Sequence, residues 1–163
     1  MTATGGCQCG AVRFVCKPDL SSAHICHCRM CQKAVGNLFA ALVGIEPDSL
    51  VWTKAEPKRF RSSNHASRGF CPECGTPLLY EAPDGQCLTI GAFDRPQDLR
   101  PLRQHGIEAD LGFMDDPGGM EATTTIEDGD VQAFLNDIVS YQHPDEPGAD
   151  EDGRRLRGSH ERS

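Results

Sequence analysis

The residues with the clearest chemical potential are three cysteines in one short segment. The chain reads Cys-His-Cys-Arg-Met-Cys over residues 26–31. In an extended segment, side chains at positions i and i+2 point to the same side, so Cys26 and Cys28 should face one way and His27 the other. The residues that follow can turn the chain and bring in Cys31 as a third sulfur. We call Cys26, Cys28 and Cys31 the three-cysteine cluster.

Three thiolates at this spacing are suited to share one metal ion. Zinc takes four tetrahedral ligands, and its catalytic sites commonly combine three protein ligands with one open position. The three-cysteine cluster therefore predicts a zinc site that a small molecule could reach. The alternative is a second structural zinc, closed by a fourth protein ligand. The candidates for that ligand are His24, His65, His105, Cys16 and Cys87, and none stands at a spacing that singles it out.

A second set of cysteines is divided between two distant segments. Cys7 and Cys9 form a C-x-C pattern, and about 60 residues later Cys71 and Cys74 form a C-x-x-C pattern followed by Gly75. The later segment resembles a zinc knuckle, in which backbone N–H groups approach the sulfurs and a glycine in the left-handed conformation closes the turn. These four cysteines, which we call the four-cysteine cluster, predict a closed structural zinc site. Such a site would tie the first strand to the middle of the domain.

Cysteine usage and charge narrow the class of protein. Seven of the nine cysteines in this chain of 163 residues fall in the two clusters. Cysteines this close together seldom pair in structural disulfides, whereas their spacing suits a metal in a reducing compartment. The formal net charge of -8 argues against general binding to nucleic acid or to anionic membranes. Without an 18-residue apolar stretch or a basic region followed by an apolar one at the start, we expect no membrane span, no signal peptide and a cytoplasmic location.

The elements that position the cysteines are predicted to be short β-strands. The chain has 17 glycines and 11 prolines but only 6% aromatic residues, which favours many turns. Alternating apolar and β-branched residues predict strands at several places. These strands cover residues 6–16, 38–45, 50–54, 58–62 as an edge strand, and 77–81 and 86–93 as a hairpin with a loop of three to five residues. Residues 32–37 are predicted to form a loop or a short helical turn, and residues 94–119 a long surface segment.

The C-terminal part of the chain has a different pattern. Residues 130–141 place their apolar side chains on one helical face, with Asp130 as a plausible N-cap, and so predict a helix. From residue 143 onward the chain is charged and nearly free of large apolar side chains, which is typical of disorder. We therefore expect one mainly β domain over residues 1–142 and a disordered charged tail over residues 143–163.

At these motifs the chain resembles the glutathione-dependent formaldehyde-activating enzyme family. The matching segments are residues 6–12, residues 26–33 with Gly36, and residues 68–78. They occur in the family's order and spacing, and the resemblance covers roughly residues 4–115. It implies a mainly β fold called a β-tent, built from short antiparallel strands. It also implies two zinc ions per chain, a structural one on the four-cysteine cluster and a second one on the three-cysteine cluster, where the substrate thiol binds.

The activity that the resemblance implies is that of a carbon–sulfur lyase. It condenses glutathione, or a related small thiol, with a small aldehyde such as formaldehyde to give S-hydroxymethylglutathione. Arg29 and Lys33 flank the three-cysteine cluster and are candidates for binding substrate carboxylates, and Gly36 could let a ligand approach its backbone. Two other functions fit the same cysteines: a zinc-stabilised module that binds a protein partner, and a redox sensor that loses its metal when the thiolates are oxidised.

Overall fold

The computed structural model of the chain describes residues 1–112, 119–124 and 138–145. The chain divides into two compact units: one comprises residues 1–110 and 142–163, and the other residues 111–141. The first unit contains all nine cysteines and every strand and α-helix of the described residues. The expectation of a mainly β fold is confirmed.

Ten short strands and one α-helix form the first unit, as far as it is described. In chain order they are β1 (Ala3–Gly6), β2 (Arg13–Cys16), β3 (His24–Cys26), α1 (Arg29–Val35), β4 (Ala40–Gly44), β5 (Val51–Trp52), β6 (Lys58–Arg61), β7 (Ser67–Phe70), β8 (Pro77–Ala82), β9 (Gly85–Thr89) and β10 (Arg103–His105). One sheet has the order β1-β2-β5, and the other has the order β10-β3-β4-β9-β8-β7-β6. The β10–β3 pair is parallel, and the other strand pairs are antiparallel. The predicted edge strand is confirmed, because β6 ends the larger sheet.

The strand predicted over residues 6–16 is interrupted by a turn. Gly10 has a φ of 74°, and its N–H donates to the carbonyl of Cys7 at 3.0 Å. A positive φ is easily adopted by glycine and breaks an extended run. Cys7 and Cys9 therefore lie in a turn between β1 and β2, and the prediction of one continuous strand over residues 6–16 is wrong.

The loop between β8 and β9 is shorter than predicted. Ala82 pairs directly with Gly85, so two residues connect the strands where the sequence pattern predicted three to five. Gly85 has a φ of 138°, which a side chain would make unfavourable. The short loop extends the hairpin and keeps the ends of both strands in register.

The segment that follows β9 is more ordered than its composition predicts. Leu99 is 1% exposed and belongs to the hydrophobic core. Asp94 forms a buried ion pair with Arg13, with 2.6 Å between the closest nitrogen and oxygen atoms. Strand β10 then pairs with β3. The local sequence pattern could not predict that this segment is well packed, because each of these contacts joins residues that are far apart in the chain.

The main hydrophobic core draws side chains from both sheets. Phe14 of β2 is 1% exposed, and its ring packs edge-on against Phe93 and Trp52, with centroids 5.0 and 5.9 Å away. Leu88 of β9 in the larger sheet is fully buried in the same cluster. Full burial of one such side chain contributes about 1.5–3 kcal/mol. Cys16 is also fully buried there.

Two predictions for the C-terminal part fall largely outside the described residues. Of the predicted helix over residues 130–141, only 138–141 are described, and they carry no helical structure. Of the predicted tail, residues 143–145 are described, and the N–H of His143 donates to the carbonyl of Gln8 at 2.7 Å. The domain boundary at residue 142 stays a prediction. Within the described part of the chain, no helix has the length and apolar character needed to cross a lipid bilayer.

Candidate metal centre

The sulfurs of the four-cysteine cluster meet in space, although its two halves are distant in sequence. All four lie within 4.8 Å of one another. The sulfur of Cys9 is 3.6 Å from that of Cys7 and 3.8 Å from that of Cys71. Four sulfurs held at about 2.3 Å around a tetrahedral ion would be about 3.8 Å apart. The donor set and these separations therefore fit a single metal ion.

Two turns present these four sulfurs. In the first, the N–H of Val12 donates to the sulfur of Cys7 at 3.2 Å. In the second, the N–H of Gly75 donates to the carbonyl of Cys71 at 2.9 Å, and Gly75 has a φ of 79°. The predicted knuckle turn, closed by a left-handed Gly75, is confirmed.

One thiol of this cluster is made unusually acidic by the second turn. Burial opposes ionisation of Cys74, but hydrogen bonds from the Thr76 hydroxyl and backbone outweigh it and lower the pKa of Cys74 to about 6. The Thr76 hydroxyl oxygen lies 3.1 Å from the Cys74 sulfur. Metals bind cysteine as the thiolate, so this turn favours the form of the ligand that an ion requires.

The three-cysteine cluster lies at the junction of a strand and a helix. Cys26 ends β3, Cys28 is the N-cap of α1, and Cys31 lies in the first turn of that helix. The three sulfurs lie within 4.8 Å of one another, with 3.5 Å between those of Cys26 and Cys28. Residues 32–35 of the segment predicted as a loop or a short helical turn thus belong to helix α1. That helix ends at Gly36, which has a φ of 64°.

All three sulfur-bearing residues line an open cleft of about 510 Å³. Burial, together with the neighbouring thiols, raises the pKa of Cys26 to about 12. Burial also opposes ionisation of Cys28, but hydrogen bonds from Cys31 and Cys26 and the charge of Arg68 lower its pKa. A cation among the sulfurs would favour the thiolate form of all three, because a coordinating thiol is deprotonated. The cluster could therefore hold a metal ion that a small molecule can approach.

No fourth ligand completes the three-cysteine cluster among the residues that the structure describes. Three of the five candidates, His24, His105 and Cys87, line the same cleft, but their ligand atoms do not join the group of close sulfurs. Cys16 is fully buried in the core, and His65 is exposed between β6 and β7. The arrangement is therefore a tripod of sulfurs with one side facing the cleft.

Arg68 lies beside the three-cysteine cluster, and its sequence position did not single it out as a candidate site residue. It is 7% exposed, and one of its terminal nitrogens donates to the Cys31 sulfur at 3.3 Å. The central carbon of its guanidinium lies 5.0 Å from the centre of the Tyr80 ring. Arg68 lies in one of the sequence segments that resemble the family. Its position in the sequence does not indicate a contact with Cys31, which is 37 positions away. A buried cation beside the cluster offsets part of the negative charge of three thiolates.

The candidate substrate-binding residues from the sequence lie beside this cleft rather than in its lining. Arg29 and Lys33 line a neighbouring shallow groove of about 420 Å³. Met30 and Arg68 line both the groove and the cleft. The guanidinium of Arg29 also donates to the side-chain oxygen of Gln32 at 2.9 Å. Gly36 lies at the other end of the helix, and a Cβ added to it would contact nothing within 4 Å.

His27 is not among the sulfur ligands, and its side chain is held by polar contacts on the other side of the segment. It is 5% exposed. Its Nε2 lies 2.7 Å from the side-chain oxygen of Gln104, and its Nδ1 lies 3.2 Å from a carboxylate oxygen of Asp110. These contacts hold the segment around β10 against β3. The packing of β10 against β3 thereby helps to position the three-cysteine cluster.

The loop after β10 is packed directly against the three-cysteine cluster. The buried side chain of Gln32 donates to the carbonyls of His27 and Ala109 at 2.8 and 3.0 Å, which fastens α1 to this loop. Gly106 has a φ of 66°, and a Cβ added to it would lie 2.9 Å from the backbone nitrogen of Cys28. The close approach requires glycine at this position.

Comparison with known proteins gives two findings. The model of the family described as glutathione-dependent formaldehyde-activating enzyme matches residues 2–108, which include both cysteine clusters. Among solved structures, the crystal structure of a Rhodobacter sphaeroides protein is similar at 20% sequence identity and a TM-score of 0.49. That alignment covers 62% of this chain and 98% of the other.

Proposed function

The chain belongs to the glutathione-dependent formaldehyde-activating enzyme family, and we propose that it is a zinc-dependent carbon–sulfur lyase. The reaction joins a small thiol to a small aldehyde, with glutathione and formaldehyde giving S-hydroxymethylglutathione as the first candidate. The observation that carries the proposal is the tripod of three sulfurs facing a cleft.

The two clusters are assigned different roles in this proposal. The four-cysteine cluster holds a structural zinc, because its four sulfurs provide a complete tetrahedral set. The three-cysteine cluster holds the second zinc, with its open side toward the cleft. When bound there, the ion would supply an electrophilic centre at which a thiol is held as thiolate.

The gain from thiol ionisation alone is limited. A free thiol has a pKa of about 8.5, so a few per cent is ionised at neutral pH. Complete ionisation would raise the thiolate concentration by about one to two powers of ten. The remaining acceleration must come from the walls of the cleft, which hold the aldehyde beside the sulfur and remove the entropy cost of bringing two molecules together.

Arg68 reduces the electrostatic repulsion between the three-cysteine cluster and a substrate thiolate. Three cysteine thiolates around a divalent ion carry a net single negative charge, which would repel an anionic sulfur. The guanidinium of Arg68 lies against Cys31 and brings the local charge close to zero. Since Arg68 is buried, solvent screens this compensation little.

Arg29 and Lys33 are proposed to bind anionic groups of the substrate away from the reacting sulfur. Both lie in the groove that adjoins the cleft at Arg68. Glutathione carries two carboxylates, and guanidinium groups bind carboxylates in a bidentate manner. Gly36 is proposed to act through the helix that it ends rather than through a direct contact.

The proposal is tested by following free formaldehyde in the presence of glutathione, with and without the zinc-loaded protein. Acceleration above the uncatalysed rate is expected, and Cys28→Ser should abolish it while the four-cysteine cluster keeps its metal. A wild-type protein with two zinc ions and no acceleration would contradict the proposal and favour a protein-binding module. Zinc release by mild oxidation in a protein that shows no turnover would favour a redox sensor.

A further inference from the structure

A row of side chains from adjacent strands lines the cleft that contains the three-cysteine cluster. Arg68 of β7 pairs with Tyr80 of β8, and Tyr80 pairs with Cys87 of β9. Side chains of directly paired residues project from the same face, with Cβ atoms about 4.5–5.5 Å apart. All three residues line the cleft together with the cluster. The sheet register therefore fixes a phenol between a guanidinium and a thiol.

Arg68 connects the Tyr80 ring to a metal-binding sulfur. Its guanidinium donates to the Cys31 sulfur at 3.3 Å and lies over the Tyr80 ring at 5.0 Å. A planar cation held between two groups restricts their relative positions, particularly when it is buried. Arg68 thus links the ring of Tyr80 to the cluster, and both line the same cleft.

The Tyr80 hydroxyl is available as a hydrogen-bond donor. Within the described ranges of the chain, no hydrogen bond holds this hydroxyl, whereas the serine hydroxyls of the cleft are bonded to backbone groups. Ser22 donates to the carbonyl of Asp19 at 2.7 Å, and Ser62 donates to that of Ala66 at 3.4 Å. Ser63 accepts from the N–H of Ala66 at 3.0 Å.

The neighbours of Tyr80 are less suited to donate to an oxygen. Burial raises the pKa of Tyr80, as does the charge of Asp84, so the phenol keeps its proton at neutral pH. Burial raises the pKa of Cys87 too, but a thiol is only a weak donor. Among the described residues the buried Nε–H of Arg68 also has no hydrogen-bond partner, but a guanidinium does not give up its proton at neutral pH. Tyr80 is therefore the strongest neutral donor in the row.

We propose that Tyr80 is a catalytic residue that donates its hydroxyl hydrogen to the aldehyde oxygen while the carbon–sulfur bond forms. This inference rests on the proposed function, because it assumes a thiol and an aldehyde in the cleft. An electron pair of the thiolate sulfur forms the new bond to carbon, and the carbonyl π pair moves to oxygen. The oxygen takes the phenolic proton, and the phenolate regains a proton from water, to which the thiol lost its own. No oxidant or reductant is required.

The size of the expected effect follows from the charge that develops on oxygen. A positioned acid or a single donor to a developing oxyanion typically accelerates a reaction by about 10² to 10³. Formaldehyde is small and reactive and also forms the adduct without help, so the lower part of this range is expected. Losing the Tyr80 hydroxyl should reduce kcat/KM for formaldehyde about a hundredfold and leave thiol affinity within about twofold.

The experiment compares Tyr80→Phe with Tyr141→Phe in the zinc-loaded full chain. The sequence has two tyrosines, and the side chain of Tyr141 is 89% exposed, which makes it a matched control. Formaldehyde consumption gives kcat/KM, and calorimetry with glutathione alone gives thiol affinity. The expected result is a selective loss of kcat/KM for formaldehyde in Tyr80→Phe, with unchanged thiol affinity, metal content and melting temperature. Tyr141→Phe should match the wild type.

The outcomes separate this inference from the proposed function. A wild-type protein that does not accelerate the reaction overturns both. A working wild type with a fully active Tyr80→Phe overturns the role of Tyr80 alone, as does a variant whose thiol affinity falls in parallel with its rate. If Tyr80→Phe does not fold, 3-fluorotyrosine is incorporated into the Tyr141→Phe background, because it keeps the ring but is a stronger acid. A rise in kcat/KM for formaldehyde then supports the role, and an unchanged value overturns it.

Discussion

Replacing Arg68 by glutamine is expected to weaken metal binding at the three-cysteine cluster and to leave the four-cysteine cluster unchanged. Arg68 is 7% exposed, and its guanidinium donates to the Cys31 sulfur at 3.3 Å. Glutamine removes the charge and is too short to reproduce the contact with the same geometry. The other cluster has separate donors, such as the N–H of Val12 to Cys7.

The expected magnitude follows from the type of bond that is lost. A hydrogen bond to a charged group contributes about 1.5–3 kcal/mol, and each 1.4 kcal/mol corresponds to about a factor of ten in affinity. Because Arg68 is almost completely buried, screening by solvent reduces this value little. The metal affinity of the three-cysteine cluster should therefore fall about ten- to hundredfold, a range typical of lost partners of metal ligands.

The assay is competition for zinc against a chromophoric chelator, which resolves a tightly bound and a more weakly bound ion. Arg59→Gln is the matched control, because it removes the same charge from β6, where the Arg59 guanidinium binds Glu56 and Glu81 and no sulfur. Arg68→Gln should weaken only one of the two ions, and Arg59→Gln neither. Unchanged affinity in Arg68→Gln would show that this guanidinium does not stabilise the bound ion. Equal weakening of both ions would show a general loss of stability instead.

Three further predictions concern the clusters and the tail. Cys71→Ser should unfold the domain, since structural zinc contributes on the order of 10 kcal/mol in small zinc domains, whereas Cys28→Ser should stay folded with one metal ion. Circular dichroism and metal analysis distinguish the two variants. If both variants unfold alike, both metal sites are structural. Gly106→Ala should selectively lower metal occupancy of the three-cysteine cluster, because the new Cβ would lie 2.9 Å from the nitrogen of Cys28; full occupancy of both sites would contradict this. Cutting the chain before Pro144 should leave zinc content and melting temperature unchanged, and a drop of several degrees would show that the tail packs.

The cysteine clusters could be predicted from sequence because ligand spacing is a local property. Cys26, Cys28 and Cys31 lie so close in the chain that almost any compact conformation brings their sulfurs together. The two halves of the four-cysteine cluster could be joined because each supplies two ligands and a tetrahedral ion needs four. Most strands followed from alternating apolar residues, and β6 was placed correctly at an edge.

The surroundings of the clusters could not be predicted, because they depend on how distant strands pair. Arg68 reaches Cys31 only through the positions of β7 and α1. Asp94 is buried because Arg13 lies opposite it, 81 positions away in the chain. The parallel pairing of β10 with β3 has no local signature. One glycine with a positive φ, Gly10, was enough to turn a predicted strand into two strands and a turn.

Cobalt substitution shows whether the three-cysteine cluster leaves one coordination position open to a thiol. Sulfur-to-metal charge-transfer bands report how many thiolates bind each cobalt ion, so a titration with glutathione counts added sulfurs. We predict that glutathione adds one sulfur ligand to one of the two cobalt ions and none to the ion of the four-cysteine cluster, whose ligand set is complete. An unchanged spectrum at millimolar glutathione would mean that the cluster offers no position to a substrate thiol and would contradict the open coordination site.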